Sequence, residues 1–135
     1  MPTALEIVTP ERLLLSRAVD MVVVPAAEGE LGVLPGHAPM IALLRGGVLR
    51  IFEGQQETSR LFVAGGFVEI TPERCTVLAS EVMPLAEVSK SAAERRIKEA
   101  EAAYAAVDKS DIAARDMTLD HLQSARAMLA VAEAP

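Results

Sequence analysis

The chain has few aromatic residues, a single cysteine and no surplus of basic charge. Phe, Tyr and Trp together make up 3% of its 135 residues, and the formal net charge is −6. Proteins that bind single-stranded nucleic acid, and typical lectins, stack bases or sugars on aromatic side chains. A polyanionic partner also requires a basic face on the protein. The composition therefore argues against both a nucleic-acid partner and a lectin.

The lack of a second cysteine and of a long apolar run bears on the cellular compartment of the protein. Cys75 stands alone, so an internal disulfide is impossible and a reducing compartment such as the cytoplasm is expected. Its alternating surroundings, residues 74–80, favour a small core or surface side chain over a catalytic thiol. No apolar run approaches the roughly 20 residues that cross a bilayer, and no secretory-type start is present. We therefore expect membrane association only through a partner.

Motifs for catalysis and for cofactor or metal binding are also missing. The sequence has no Gly-rich phosphate loop, and Gly65-Gly66 lacks the spacing of a dinucleotide-binding motif. Neither His37 nor His121 has a Cys or His at metal-ligand spacing. No serine stands in a nucleophile-elbow pattern. We therefore expect no catalytic, cofactor-binding or metal site, and a protein that is not itself an enzyme.

Residues 1–84 are predicted to form a β-sandwich. Apolar residues make up 51% of the sequence, which is enough for a core. Short β segments alternate with turn formers at roughly ten-residue intervals. Segments such as 47–53 carry apolar residues on both faces, which suits a sandwich better than one solvated sheet. The predicted strands are 5–9, 12–16, 18–24, 32–34, 40–44, 47–53, 57–64, 66–70 and 74–80.

Residues 85–135 are predicted to form an antiparallel helical hairpin. Ser91 and Glu94 form a capping-box pattern, and a polar break at 108–111 separates two apolar stripes at helical spacing. The first stripe is Ala93, Ile97, Ala100, Tyr104 and Val107, and the second is Ile112, Leu119, Leu122, Ala125 and Leu129. Fifteen alanines after residue 85 bury little area per residue. We therefore predict a mobile regulatory element attached to a sandwich that folds by itself.

The stretch Glu28–Pro39 is the most informative part of the sequence. It has three glycines and two prolines within twelve residues and follows an apolar run. Such a specific loop is typical of a recognition surface. In an extended strand Glu28 and Glu30 would share one face, either as a solvated rim, which we favour, or as an acid pair. His37 either anchors its turn or packs at an interface, or it acts as a pH-sensitive contact.

Several segments together resemble the epsilon subunits of bacterial F-type ATP synthases, equivalent to the mitochondrial delta subunit. The resemblance spans nearly the whole chain, and the stretch Gly-Val-Leu-Pro-Gly-His-Ala-Pro is its most specific part. It implies an all-β sandwich of about ten strands followed by a C-terminal two-helix hairpin, in agreement with the division drawn from periodicity. The segments that carry it are 7–12, 28–39, 45–50, 63–69 and 76–79.

The resemblance implies a non-catalytic central-stalk subunit that turns with the rotor and couples proton flow to ATP synthesis. The residues implied to contact the polar loops of the c-ring are Glu28, Glu30, Leu31 and Gly32. The residues implied to contact the gamma subunit are His37, Ala38 and Pro39. In several family members the hairpin extends along gamma and blocks ATP hydrolysis, so the resemblance implies contacts with the alpha and beta subunits. The sequence leaves open whether this hairpin inhibits hydrolysis. The complex would hold the chain as a peripheral protein at the cytoplasmic face of the inner membrane.

Some family members bind ATP at the first helix through a motif of Ile or Leu, Asp, two variable residues, Arg and Ala. The matching positions are 88–93, where Ser89 replaces the Asp and Ala92 replaces the Arg. We therefore expect weak or absent ATP binding and no cofactor. A free-standing β-sandwich module for a small ligand is the alternative function. The sequence leaves open whether the hairpin lies folded or extended.

Overall fold

The computed structural model describes residues 2–134, so Met1 and Pro135, at the outer ends of the predicted domains 1–84 and 85–135, lie outside it. The described strands are β1 (Thr3–Val8), β2 (Leu13–Val19), β3 (Met21–Ala26), β4 (Gly29–Val33), β5 (Met40–Leu43), β6 (Gly47–Glu53), β7 (Gln56–Ile70) and β8 (Arg74–Pro84). A short 3₁₀ helix, Leu85–Glu87, leads into α1 (Lys90–Ala106) and α2 (Ile112–Glu133). The predicted fold class, a β-sandwich followed by a two-helix hairpin, is confirmed.

The strands form one hydrogen-bonded sheet that folds over on itself. Their order is β2-β1-β8-β7-β6-β3-β4, and β5 pairs with β7. The first half of β7 pairs with β6 and its second half pairs with β5. Strand β7 therefore runs from one layer of the sandwich into the other.

The core lies between the layers and is built from alternate residues of each strand. On β6, Leu49 and Ile51 are 0% exposed, whereas Arg50 and Phe52 face outward. Inward residues of β1, β3, β7 and β8 belong to the same cluster. The helices contribute none of its buried members. The main core therefore belongs to the sandwich alone.

The glycine pair Gly65-Gly66 bends β7 instead of ending it. The prediction of two strands, 57–64 and 66–70, is wrong, because both glycines adopt positive φ, +69° and +123°, and let the strand continue. Strand β8 also extends past the predicted end at Ser80 to Pro84. Because β7 replaces two of the nine predicted segments, the described chain has eight strands, where the resemblance implied about ten.

The helical hairpin docks on the outer face of the sheet through a second, smaller core. Phe62 and Ala64 on β7 pack with Ala93 on α1 and Met128 on α2. Phe62 and Ala93 are 0% exposed, and Met128 is 2% exposed. The alanine-rich hairpin therefore gains its buried contacts from this face of the sheet.

Details of the predicted helices are corrected by the structure. Ser89, not Ser91, caps α1, because its Oγ accepts the Ala92 N–H at 3.2 Å while Ser91 already lies inside the helix. In the second predicted stripe, Ile112 and Leu119 are 61% and 40% exposed. The buried positions of α2 lie from its middle onward, in the part that meets the sheet: Leu122, Ala125 and Met128.

Candidate functional site

The predicted recognition loop, Glu28–Pro39, is divided into a β-hairpin and a separate turn. In the antiparallel pair of β3 and β4, Ala26 lies opposite Gly29, so Ala27 and Glu28 form a two-residue turn. The Ala27 N–H donates to the Leu43 carbonyl oxygen at 2.8 Å, which fixes the turn to the end of β5. Glu28 is therefore exposed at the tip of a supported hairpin.

Strand β4 presents alternate residues to solvent and to the core. Glu30 and Gly32 are exposed, whereas Leu31 packs against the main core and Val33 is 0% exposed. Of the four residues predicted to contact the c-ring, Glu28, Glu30 and Gly32 are available at the surface. Leu31 supports them from the core side.

Glu30 forms an ion pair with Arg50 and no acid pair with Glu28. Arg50 on β6 reaches across β3, so that its Nη2 lies 3.5 Å from Glu30 Oε2. The same guanidinium lies 5.7 Å from the centroid of the Phe52 ring. The Glu30 side chain remains 63% exposed, and an exposed pair of this kind stabilises a fold by about 0–1 kcal/mol. A basic partner group can therefore replace Arg50 at little cost.

A second exposed element follows β4. The His37 N–H donates to the Leu34 carbonyl oxygen at 3.2 Å, and Gly36 has φ +82°, as in a type II turn with Pro at its second position. The Gly36 N–H donates to the Pro72 carbonyl oxygen at 2.8 Å. The His37 Nδ1 donates to the Ala38 carbonyl oxygen at 2.7 Å. His37 therefore braces its own turn, next to the exposed Ala38 and Pro39.

The two elements lie at opposite ends of β4 and β5. The hairpin tip is bonded to Leu43 at the end of β5, and the turn leads into Met40 at its start. At about 3.3 Å per residue, β4 separates them by roughly 15 Å. The structure therefore divides the stretch Glu28–Pro39 into two separate surfaces. We call them the tip surface (Glu28, Glu30 and Gly32) and the turn surface (His37, Ala38 and Pro39).

Polar contacts hold the docked helices to the sandwich. The Gly46 N–H donates to Gln123 Oε1, and Gln123 Nε2 donates to the Gly46 carbonyl oxygen, both at 2.9 Å. A Cβ on Gly46 would stand 2.6 Å from Ser124 Cα, so α2 lies directly on this glycine. Arg96 on α1 forms an ion pair with Glu81 on β8 at 2.6 Å. A groove of about 1100 Å³ remains between the hairpin and the sheet.

The described residues offer little chemistry for catalysis. Within residues 2–134, no three His, Cys, Asp or Glu side chains are grouped so as to hold a metal ion. Burial raises the pKa of the Cys75 thiol to about 12, so the group stays protonated and unreactive near neutral pH. In the same part of the chain, neither helix is long and apolar enough to cross a bilayer.

Comparison with known proteins identifies the family. The model of the ATP synthase Delta/Epsilon chain, beta-sandwich domain, matches residues 3–85. The chain belongs to the ATP synthase delta/epsilon family. It is 65% identical to the ATP synthase epsilon chain of Granulibacter bethesdensis over 130 residues, which are 96% of either chain. It is 44% identical to the ATP synthase epsilon chain of Gluconacetobacter diazotrophicus over 135 residues, which are 100% of this chain and 96% of that relative.

Solved structures share the fold of this delta/epsilon family member. A chain of the Euglena gracilis mitochondrial ATP synthase, in a structure of OSCP, F1 and c-ring, matches with a TM-score of 0.74 at 23% identity, covering 96% of this chain and 80% of that chain. A chain in the central stalk and c-ring structure of Tetrahymena thermophila mitochondrial ATP synthase matches with a TM-score of 0.67 at 14% identity, covering 98% and 97%. The predicted family and a non-catalytic subunit are confirmed.

The residues that join distant elements carry no local signal in the sequence. Gly46 was noted only as part of a resembling segment, and Gln123 lies 77 residues away from it along the chain. Arg50 alternates with Leu49 and Ile51 along its strand, but its pairing with Glu30 depends on the order of β4, β3 and β6. No local pattern carries that information.

Proposed function

We propose that this chain is a non-catalytic rotor subunit of the central stalk of an F-type ATP synthase, which couples proton translocation to ATP synthesis. The observation that carries the proposal is that the chain is 65% and 44% identical, over nearly its full length, to two ATP synthase epsilon chains. The two exposed, backbone-anchored surfaces support a role in protein contacts. The alternative, a free-standing β-sandwich module for a small ligand, predicts a chain that acts without such partners.

The tip surface is proposed to contact the polar loops of the c-ring. Glu28 and Glu30 present carboxylates on a hairpin that is bonded to β5 and β3, and Gly32 lets a partner backbone approach the strand closely. A basic group on the c-ring loop would compete with Arg50 for Glu30. Leu31 contributes by holding β4 on the core, which keeps the two carboxylates in place.

The turn surface is proposed to contact the gamma subunit through His37, Ala38 and Pro39. Its hydrogen bonds to Leu34 and Pro72 fix the turn before any partner arrives. A pre-organised turn loses little conformational entropy on binding, which favours a stable contact.

Residues 85–135 are proposed to be a mobile regulatory hairpin beside a sandwich of residues 1–84. In the docked arrangement, the hairpin is held by the small core around Phe62, by the Gln123–Gly46 bonds and by the Arg96–Glu81 pair. These contacts are few enough to be exchanged for contacts with the alpha and beta subunits, through which the hairpin would restrain ATP hydrolysis.

ATP is proposed not to bind the first helix with useful affinity. The Ser89 hydroxyl is occupied as the helix cap, and Ala92 supplies only a backbone N–H. Neither residue provides the charged contact that the family motif would place there. The hairpin is therefore proposed to respond to its protein partners rather than to a bound nucleotide.

The complex is proposed to hold the chain at the cytoplasmic face of the inner membrane as a peripheral protein. The partners named above, gamma and the c-ring loops, would supply this attachment.

The tip surface is tested by Glu30→Lys in vesicles that contain the reconstituted synthase. We expect ATP-driven proton pumping to fall severalfold at low ionic strength, because the substitution places a cation against both Arg50 and a basic c-ring loop. Pumping is followed with a pH-sensitive dye, and subunit retention is checked after washing the vesicles.

The matched control is Glu101→Lys, which makes the same charge change on the exposed face of α1. We expect this variant to pump like the unmodified complex. Undiminished pumping and full retention with Glu30→Lys would overturn the proposed contact between Glu30 and the c-ring.

A further inference from the structure

The helical hairpin and the sandwich leave a groove of about 1100 Å³ between them, beside the half of the hairpin nearer the link between α1 and α2. The bend of β7 at Gly65 and Gly66 forms part of its sandwich side. Its volume is at the upper end of the range for small-molecule sites. We call it the hairpin groove. Its hairpin wall consists of residues that share one face of each helix: Glu99, Ala100 and Ala103 on α1, and Asp116, Met117 and Asp120 on α2.

Acidic side chains predominate in the hairpin groove. Arg96 on α1 is already paired with Glu81 on β8, at 2.6 Å. The hairpin wall therefore keeps three carboxylates, while the sandwich side keeps the guanidinium of Arg45. The charged side chains among the described lining residues are four carboxylates, Glu81, Glu99, Asp116 and Asp120, and two guanidiniums, Arg45 and Arg96.

The three carboxylates of the hairpin wall are open to a ligand. Glu99 and Asp120 form no ion pair among residues 2–134. Asp116 pairs with its chain neighbour Arg115 at 3.4 Å, and the Asp116 side chain remains 58% exposed. An exposed pair of this kind contributes little to stability, so a cation on a ligand can replace Arg115.

Neither a metal ion nor a nucleotide matches this wall. Within residues 2–134, no three His, Cys, Asp or Glu side chains are grouped so as to hold a metal ion. The wall carboxylates repel a polyphosphate. The positions of the ATP motif, 88–93, also lie outside the groove lining. The charges of the wall instead suit an organic cation whose own charges are spread along its length.

A linear aliphatic polyamine has this chemistry. Asp116 and Asp120 are four residues apart on α2, which places their Cβ atoms about 5–6 Å from each other. Glu99 faces the groove from the other helix. A polyamine carries ammonium groups at a comparable spacing, joined by short methylene chains. Its methylene groups would pack on Ala103 and Met117 while its ammonium groups pair with the carboxylates.

We propose that the hairpin groove binds a linear polyamine, with Glu99, Asp116 and Asp120 as the residues that pair with its ammonium groups. This inference goes beyond the proposed function and does not depend on it. Because the groove lies between the hairpin and the sandwich, a bound polyamine stabilises the docked hairpin by mass action. The hairpin then responds to an organic cation at a site separate from the nucleotide motif.

The test titrates spermidine into the full-length chain at low ionic strength and follows the heat of binding. We expect one site with a dissociation constant below about 0.1 mM. Asp116→Asn and Asp120→Asn combined are expected to raise this constant at least about fivefold, because two of the three charge pairs are lost. Both positions are exposed on α2, so the melting temperature should stay near that of the unmodified chain.

The matched control combines Glu94→Gln with Glu101→Gln. It removes the same charge from exposed positions of α1 that lie outside the groove lining. We expect this variant to bind spermidine like the unmodified chain. As a second readout, spermidine should slow hydrogen exchange of the α1 and α2 amides in the unmodified chain and in the control, but not in the Asp116/Asp120 variant.

Two results would overturn the proposal directly. One is the absence of spermidine binding by the unmodified chain. The other is equal weakening in both double variants, which would mean that spermidine responds only to net charge. Magnesium chloride and ATP are titrated separately. If either binds as tightly as spermidine and loses affinity in the Asp116/Asp120 variant, the groove selects a metal ion or an anion and the proposal is wrong. The proposed function stands in each case, since it is tested by gamma binding.

Discussion

Gly66→Val is expected to unfold the sandwich or to lower its free energy of unfolding by at least about 3 kcal/mol. Gly66 has φ +123°, a conformation that β-branched residues essentially do not adopt. A Cβ at this position would stand 1.8 Å from the Leu78 carbonyl oxygen. This oxygen belongs to the backbone of β8, so no side-chain rotation can relieve the clash. Either β7 straightens and loses its pairing, or β8 moves away from it.

The measurement is urea denaturation followed by circular dichroism. Natural domains have only about 5–15 kcal/mol of stability, so a loss of this size moves the midpoint far towards zero urea or abolishes folding. The matched control is Gly32→Ala, since a Cβ there meets nothing within 4 Å. The same midpoint for both variants would contradict the account of β7 as a strand bent at Gly66.

Gly46→Val is expected to release the helical hairpin while the sandwich stays folded. The new Cβ would stand 2.6 Å from Ser124 Cα and 2.9 Å from Ser124 Cβ, so α2 cannot keep its position against the sandwich. Moving α2 away also breaks both Gln123 hydrogen bonds to Gly46. The docked core around Phe62 is small, and each 1.4 kcal/mol lost shifts the docking equilibrium about tenfold. The variant should therefore be mostly undocked.

Hydrogen exchange of the backbone amides measures this release. We expect the amides of α1 and α2 to lose protection by at least tenfold, because isolated alanine-rich helices are marginal in water. The amides of β6 and β8 should keep theirs. Gln123→Ala is expected to lower the protection of the helix amides as well, but by less. Its matched control is Gln55→Ala, at an exposed turn. Unchanged protection of α2 in Gly46→Val would contradict the role given to Gly46.

The parts of the fold that the sequence predicted are those set by neighbouring residues. Strand β6 begins and ends at the predicted residues, Gly47 and Glu53, because its alternation and its flanking glycines are local. The polar break before α2 is also local, and Asp111 caps that helix as its residue type suggests. Continuity of β7 was missed because a glycine pair predicts a turn unless a partner strand lies against it.

For the two candidate surfaces too, only the features set by neighbouring residues could be predicted from the sequence. Glu28 and Glu30 were correctly predicted to be exposed, since acidic residues beside turn formers seldom lie in a core. Their separation from His37 is not visible in local patterning, because it depends on β4 pairing with β3, and only the resemblance assigned the two parts to different partners.

The central claim, a stalk subunit that acts by binding its partners, is tested most directly by mixing the full-length chain with purified gamma and measuring the mass of the product by light scattering after gel filtration. The account predicts a single stable 1:1 complex at micromolar concentration. Elution of this chain alone as a monomer, with gamma in a separate peak, would contradict the account and favour the free-standing binding module.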